Sequence, residues 1–309
     1  YNSLAGFLST STPLDSRAHF EALRSSSEEL VTVFPEITNL EPLRASGQKH
    51  VFSGVCEGDK VALKLFKYKT DERRVEREIE AVATLSSDYV PKVFQNGRRQ
   101  LGGNDFMFLV EEFIEGEDYR SVLTQTPVQS LEQVLNLAEI LLSACVDFEK
   151  NRIVHRDIKP ENLLVGVDGK VWVIDFGICR FLDKESLTAS GRRFGFFTPG
   201  YAPPEQTRNL KAEISSRADL YSIGVVLFEA LNGSNPHLVG KRDILEVIRH
   251  ADTTDLPKLS IAGDVDGGFA ELIQSLTARY PSRRPKNARE ALEWFTDVKR
   301  QILEHGGVI

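Results

Sequence analysis

The sequence predicts an α+β chain in which strands dominate the first part and helices the second. Two observations carry this. The pattern is strand-like from Leu43 onward and again over Phe106 to Glu112, whereas Leu131 to Asn151, Arg217 to Leu231, Phe269 to Ala278 and Ala288 to Leu303 show helical periodicity or all-round apolarity. Between them, Asn162 to Val165 and Lys170 to Ile174 are short apolar runs separated by Gly166-Val167-Asp168-Gly169, and Asp-Gly between such runs is a strong hairpin signal. With 309 residues the chain has room for one two-lobed domain or two small ones.

Taken in order, residues 1 to 42 divide into a Ser/Thr-rich opening, a helix-like piece from Asp15 to Val31 and a link marked by Pro35 and Pro42. After the helix-starting Thr70-Asp71, the residues Val75, Ile79, Val82 and Leu85 trace an inward stripe. Glu78 falls on that stripe, and a carboxylate facing a core needs a partner. In the hairpin, a two-residue Asp168-Gly169 loop would set Val167 against Lys170 and, counting outward, Asn162 against Asp175. An amide oxygen and a carboxylate would then converge within reach of one hard cation, with Asp157 at the same mouth.

The net charge of -7 argues against general nucleic-acid binding, which needs a basic surface. The longest nearly apolar run, Tyr221 to Leu231, contains Ser222 and Glu229 and is too short to be a membrane segment. Cys56, Cys145 and Cys179 lie in no metal-ligand spacing, so the expectation is a reducing, cytoplasmic setting without disulfides or zinc.

His155-Arg156-Asp157, then Asn162, then Asp175-Phe176-Gly177 resemble the catalytic and metal-binding loops of the eukaryotic-like (Hanks-type) serine/threonine protein kinases. The resemblance covers roughly Leu43 to Leu303. It implies a two-lobed kinase-like fold: an N-terminal extension over 1–42, a small antiparallel-sheet lobe with one main helix over 43–114 and a larger, mostly helical lobe over 115–309. Its implied cofactors are ATP and Mg²⁺, with Mn²⁺ as a substitute, and its implied partners are proteins bearing Ser or Thr acceptors. Asp157 would orient the acceptor hydroxyl and take its proton, while Asn162 and Asp175 would hold the metal.

Other residues take their roles from the same resemblance. Val61-Ala62-Leu63-Lys64 looks like the third-strand motif whose lysine contacts the α- and β-phosphates, which makes Glu78 the expected partner of Lys64. The glycine-rich loop departs from the family: Arg44, Ser46 and Lys49 stand at its three glycine positions, with Gly47 nearby. Either nucleotide binding weakens, or the charge of Lys49 or Arg44, or a different turn through Gly47, replaces backbone cradling. Glu112 and Ile114 would meet the adenine edge, and Asp118 lies where members place an acid near the ribose. The position at the back of the adenine pocket is Glu111, usually apolar in the family; a buried acid there calls for a polar partner.

Thr198 to Glu205 resembles the segment that closes the activation loop, which brings Thr198 toward Asp157 and Lys159, the latter a residue type of serine/threonine members. Ser186, Thr188 and Ser190 are candidate autophosphorylation sites, with Arg156 and Arg192 or Arg193 to gather the charge. Asp219 would receive backbone N–H groups of the catalytic loop, and Arg284 would pair with Glu205. The alternative reading is a pseudokinase or nucleotide-binding scaffold, suggested by the degenerate glycine loop.

Overall fold

A computed structural model describes residues 27–45, 49–67, 72–101, 104–176, 186–187, 193–194 and 197–305. The described residues form two compact units, one of those up to 85 with those of 91–114, the other of 86–90, 115–176 and those from 186 onward.

In the first unit, helix α1 (Ser27–Val33) precedes strands β1 (Ile37–Ala45), β2 (Lys49–Cys56) and β3 (Asp59–Lys67). Helix α2 (Glu72–Ala83) and strands β4 (Val93–Leu101) and β5 (Asn104–Glu112) follow. The strands form an antiparallel sheet in the order β1-β2-β3-β5-β4. Alternation gives β3 and β5 two distinct faces. Val61, Leu63 and Leu65 pack with Phe106, Phe108 and Val110, and Leu30, Phe34 and Ile37 close over them.

The link expected around Pro42 is thus part of the sheet. Pro42 lies within β1, the edge strand, beside a register irregularity, where a missing N–H costs no ladder bond. Arg99 of β4 fastens the leading segment to the sheet. Its guanidinium lies 4.4 Å from the Phe34 ring centroid and 4.9 Å from that of Phe108, and it pairs with Glu36 at 2.7 Å. Ile79 and Val82 of α2, and Leu85 just beyond its end, are buried as the stripe predicts. The helix-like stretch from Asp15 to Ser26 lies outside the described residues.

The second unit contains β6 (Gly116–Asp118), α3 (Tyr119–Gln125), α4 (Leu131–Lys150), a 3₁₀ turn at Pro160–Asn162, β7 (Leu163–Gly166) and β8 (Val171–Val173). The short strands β9 (Ser186–Leu187) and β10 (Arg193–Phe194) pair with each other. The helices α5 (Pro204–Thr207), α6 (Ser216–Asn232), α7 (Ile244–Thr253), α8 (Gly268–Leu276) and α9 (Ala288–His305) complete it. Ser130 and Gln133 form a capping box that starts α4, and Val134, Leu137, Leu141, Cys145 and Phe148 are its buried stripe. Helix α6 is buried nearly all round. Its Gly224 permits close approach of α8, since a Cβ there would stand 2.7 Å from Thr277 and 2.8 Å from Leu276.

The hairpin forms, but its register differs by one residue from the two-residue-loop expectation. Leu163 faces Val173 and Val165 faces Val171. Val167 gives its N–H to Glu115 O rather than facing Lys170, and Gly166 N–H bonds Lys170 O at 2.8 Å. Residues 167–169 therefore make a three-residue loop, with Gly169 at φ +81 and Asp168 Oδ1 accepting the Lys170 N–H. Asn162 consequently opposes Ile174, whose N–H it accepts at 2.9 Å, and not Asp175.

Candidate active site

In the helical unit the site is built on the segment between α4 and β7, which has no regular structure before its 3₁₀ turn and must be pinned by side chains. Asp219, in the first turn of α6 and fully buried, does this. Its two carboxylate oxygens accept the backbone N–H groups of His155 and Arg156, each at 2.8 Å. Arg156 has a left-handed backbone, φ 65, a conformation that costs a non-glycine residue on the order of 1–3 kcal/mol and persists only when its surroundings impose it. The Gln206 amide adds a bond to Arg156 O at 2.8 Å.

His155, fully buried, brackets the loop from within. Its Nδ1 accepts the Asp157 N–H at 3.2 Å and its Nε2 donates to Ile174 O at 3.1 Å, the arrangement of a neutral ring protonated on Nε2. The ring lies 4.6 Å from that of Phe176, which in turn meets Phe148 edge-on at 5.0 Å. The backbone on either side of Asp175 is thereby anchored. Asp175 itself has φ 60, which breaks the strand alternation beyond Ile174. Left-handed backbone, rather than cross-strand register, sets this carboxylate's direction.

Asp157 is the centre of the arrangement. Asn162 Nδ2 donates to Asp157 O at 2.8 Å and to Asp157 Oδ2 at 3.0 Å, fixing that carboxylate. Thr198 donates its hydroxyl to Asp157 Oδ1 at 2.6 Å, and Lys159 Nζ bonds Thr198 Oγ1 at 3.0 Å while standing 3.3 Å from Asp157 Oδ2. A carboxylate, an ammonium and a hydroxyl thus form one charge-assisted cluster.

The donor set suits a hard divalent cation. Because Asn162 spends both amide hydrogens on Asp157, its Oδ1 is the group left to act as a ligand, and Asp175 supplies a carboxylate. Among the described residues no group of three or more His, Cys, Asp or Glu is placed to hold a metal. An ion bound through Asn162 and Asp175 would complete its shell with water or substrate oxygens, the habit of Mg²⁺.

Beside this cluster lies a network absent from the sequence reading. Arg120 bonds Glu161 Oε1 at 2.9 Å and Glu229 Oε1 at 2.8 Å, and also reaches the Tyr201 hydroxyl. Burial opposes the guanidinium charge, but Tyr201, Glu229 and Glu161 outweigh it and hold Arg120 above its ordinary value. Arg120 carries no signal in the sequence because Glu229 lies 109 residues away. Asp118 N-caps α3: its Oδ1 accepts the Ser121 N–H at 2.9 Å.

In the sheet unit, Lys64 is buried on β3 and its ammonium lies 2.5 Å from Glu111 of β5, also buried. The acid expected at the back of the adenine pocket, Glu111, therefore has a cationic partner. The Glu78 side chain, on α2, is outside the described residues, as are Ser46, Gly47, Cys179, Thr188 and Ser190. Lys49 is half-buried and opens β2 opposite Phe66. The Glu112 N–H is taken by Lys92 O at 2.8 Å, and Ile114 is half-buried.

Residues 47–295 match the protein kinase domain family. Among similar curated proteins, the serine/threonine-protein kinase PknL of Mycobacterium tuberculosis is 34% identical over 74% of this chain and 56% of its own length. PknA of the same species is 31% identical over 74% of this chain and 52% of its own, and PrkC of Bacillus subtilis 29% identical over 74% and 35%. The chain thus spans about a third to just over half of the relatives it matches. No helix among the described residues is long and apolar enough to cross a membrane.

Proposed function

The chain belongs to the protein kinase family, and on that premise we propose that it transfers the γ-phosphoryl group of ATP to Ser or Thr hydroxyls of protein substrates, with Mg²⁺, or Mn²⁺ in its place. The observation that carries the reading is the Thr198 hydroxyl donating to Asp157 Oδ1 at 2.6 Å, with Asn162 holding the other carboxylate oxygen. A carboxylate so aimed can orient an acceptor hydroxyl and take its proton, a contribution of about 10²–10⁴-fold in rate. Lys159 bonds Thr198 and stands beside Asp157, supplying positive charge where a transferring phosphoryl group carries negative charge.

Asn162 Oδ1 and the Asp175 carboxylate are assigned to the metal, which when bound neutralises phosphate charge. Lys64 is assigned to the α- and β-phosphates with Glu78 as a partner, Gly47 and Lys49 to the phosphate-covering turn, and backbone groups of Glu112 and Ile114 to the adenine edge. Of the Glu112 backbone groups the carbonyl is the one meant, because its N–H is engaged by Lys92. Asp118 is assigned to the ribose through Oδ2, Oδ1 being spent on the helix cap.

Incubation with γ-labelled ATP, Mg²⁺ and a basic protein substrate tests the proposal. Wild type is expected to transfer label, and Asp157→Asn and Asp175→Ala to lose at least about 100-fold of the rate. No transfer by wild type with either Mg²⁺ or Mn²⁺ overturns it in favour of a nucleotide-binding scaffold. We also assign Ser186, Thr188 and Ser190 to autophosphorylation. Mass spectrometry of wild type and Asp157→Asn checks this, and equal phosphorylation of both would exclude it.

A further inference from the structure

Lys64 and Glu111 are joined by the sheet itself. Glu111 faces Ala62 across the β3–β5 ladder, and Lys64 is two residues further along β3, so the two side chains leave the same face as a diagonal pair. A diagonal spacing of roughly 7–8 Å between backbones suits a long amine and a long carboxylate. Their charged ends meet at 2.5 Å, with side chains only 7% and 9% exposed. Ala62, small and directly opposite Glu111, leaves the carboxylate room to lean toward Lys64. The positions before it on that strand, Phe106 to Val110, are apolar and buried, so this acid follows a row given to packing.

We propose that Glu111 is a positioning residue that holds the Lys64 ammonium from the neighbouring strand, so that presentation of Lys64 to nucleotide phosphates does not depend on the carboxylate of α2 alone. The inference rests on the phosphate role assigned to Lys64 above. The physical distinction lies in how each carboxylate is mounted. Glu78 belongs to a separate helix that has to pack on the sheet, whereas Glu111 is hydrogen-bonded into the ladder next to the strand that bears Lys64. Displacing α2 would remove the first and leave the second. Loss of Glu111 would loosen the hold on the buried Lys64 ammonium from the strand side.

The test reads Lys64 directly. Full-length wild type, Glu111→Gln, Glu111→Met and Glu78→Gln are treated with an amine-acylating reagent, and modification at Lys64 is followed by mass spectrometry, each variant's folding being checked by its thermal transition. Expected is at least fivefold faster labelling of Lys64 in Glu111→Gln, or in Glu111→Met should the first fail to fold, and labelling within twofold of wild type in Glu78→Gln. In steady-state phosphotransfer the Glu111 variants are expected to raise KM for ATP at least fivefold while kcat stays within threefold, and Glu111→Asp to recover part of the loss. Unchanged Lys64 labelling without Glu111, or an equal increase in Glu78→Gln, overturns the proposal. Labelling needs no turnover, so failure of the kinase reading and failure of the Glu111 role are separable.

Discussion

Arg284 with Glu205 in the helical unit and Lys64 with Glu111 in the sheet unit are both buried ion pairs, yet they are built differently. Every N–H of Arg284 is engaged: two with Glu205 at 2.6 and 3.0 Å, and the others with the carbonyls of Arg217, Ala278 and Arg279. A planar fork saturated in this way holds one geometry. Lys64 is a point charge on a flexible stem, its ammonium 2.5 Å from Glu111 Oε1. The first pair is suited to fastening a segment to a core, the second to presenting a cation that can still be shared.

The contrast predicts opposite consequences of removal. Arg284→Ala leaves Glu205 as an uncompensated buried charge, and urea denaturation is expected to show a loss of about 3–5 kcal/mol. Replacing both partners, Arg284→Met with Glu205→Leu, is expected not to restore stability, since three carbonyls also lose their donor. Asp219→Asn tests the neighbouring pin of the catalytic loop. One of two buried N–H groups loses its acceptor, which should cost about 1–3 kcal/mol and reduce phosphotransfer.

The network around Arg284 also carries a pH dependence. Its guanidinium lies 4.9 Å from the Tyr221 ring, and the Tyr221 hydroxyl contacts His237 Nε2 at 3.1 Å. Burial first, then His250 and Lys241, push His237 down to about 3 from 6.5. The unfolded chain therefore binds a proton that the folded chain refuses once the pH is below 6.5. The resulting stability is fully present above that value and declines as pH falls toward 3, by up to about 1.4 kcal/mol per pH unit. Equilibrium unfolding at several pH values should show this slope, and His237→Asn should flatten it. The smallest change in stability is expected for Lys64→Met with Glu111→Leu. Apolar replacement of a buried pair is often neutral or stabilising, so the melting temperature should hold while phosphotransfer is lost.

Local order was legible where it repeats along the chain or sits in a short motif. The stripes of α2 and α4 and the buried helix α6 came from periodicity, and the meeting of Asn162 with Asp157 from motif spacing. The pairings of Asp219 with the catalytic loop and of Glu205 with Arg284 were legible through family resemblance. Less was visible where a backbone detail decides. The Asp168-Gly169 signal announced a hairpin, but its register turned on the Val167 N–H bonding Glu115 rather than Lys170.

The sequence by itself determined the class of elements, because burial pattern and residue type are local properties, while the resemblance drew attention to the residues around Asp157 and to Glu111 as an acid in need of a polar partner. The tertiary structure decided that this partner is Lys64, that the stretch around Pro42 is an edge strand, and that Arg120 bridges Glu161 and Glu229. Each of these depends on groups distant in sequence meeting in space, and an unsatisfied charge or amide states only that it needs a partner, not which one the fold will supply.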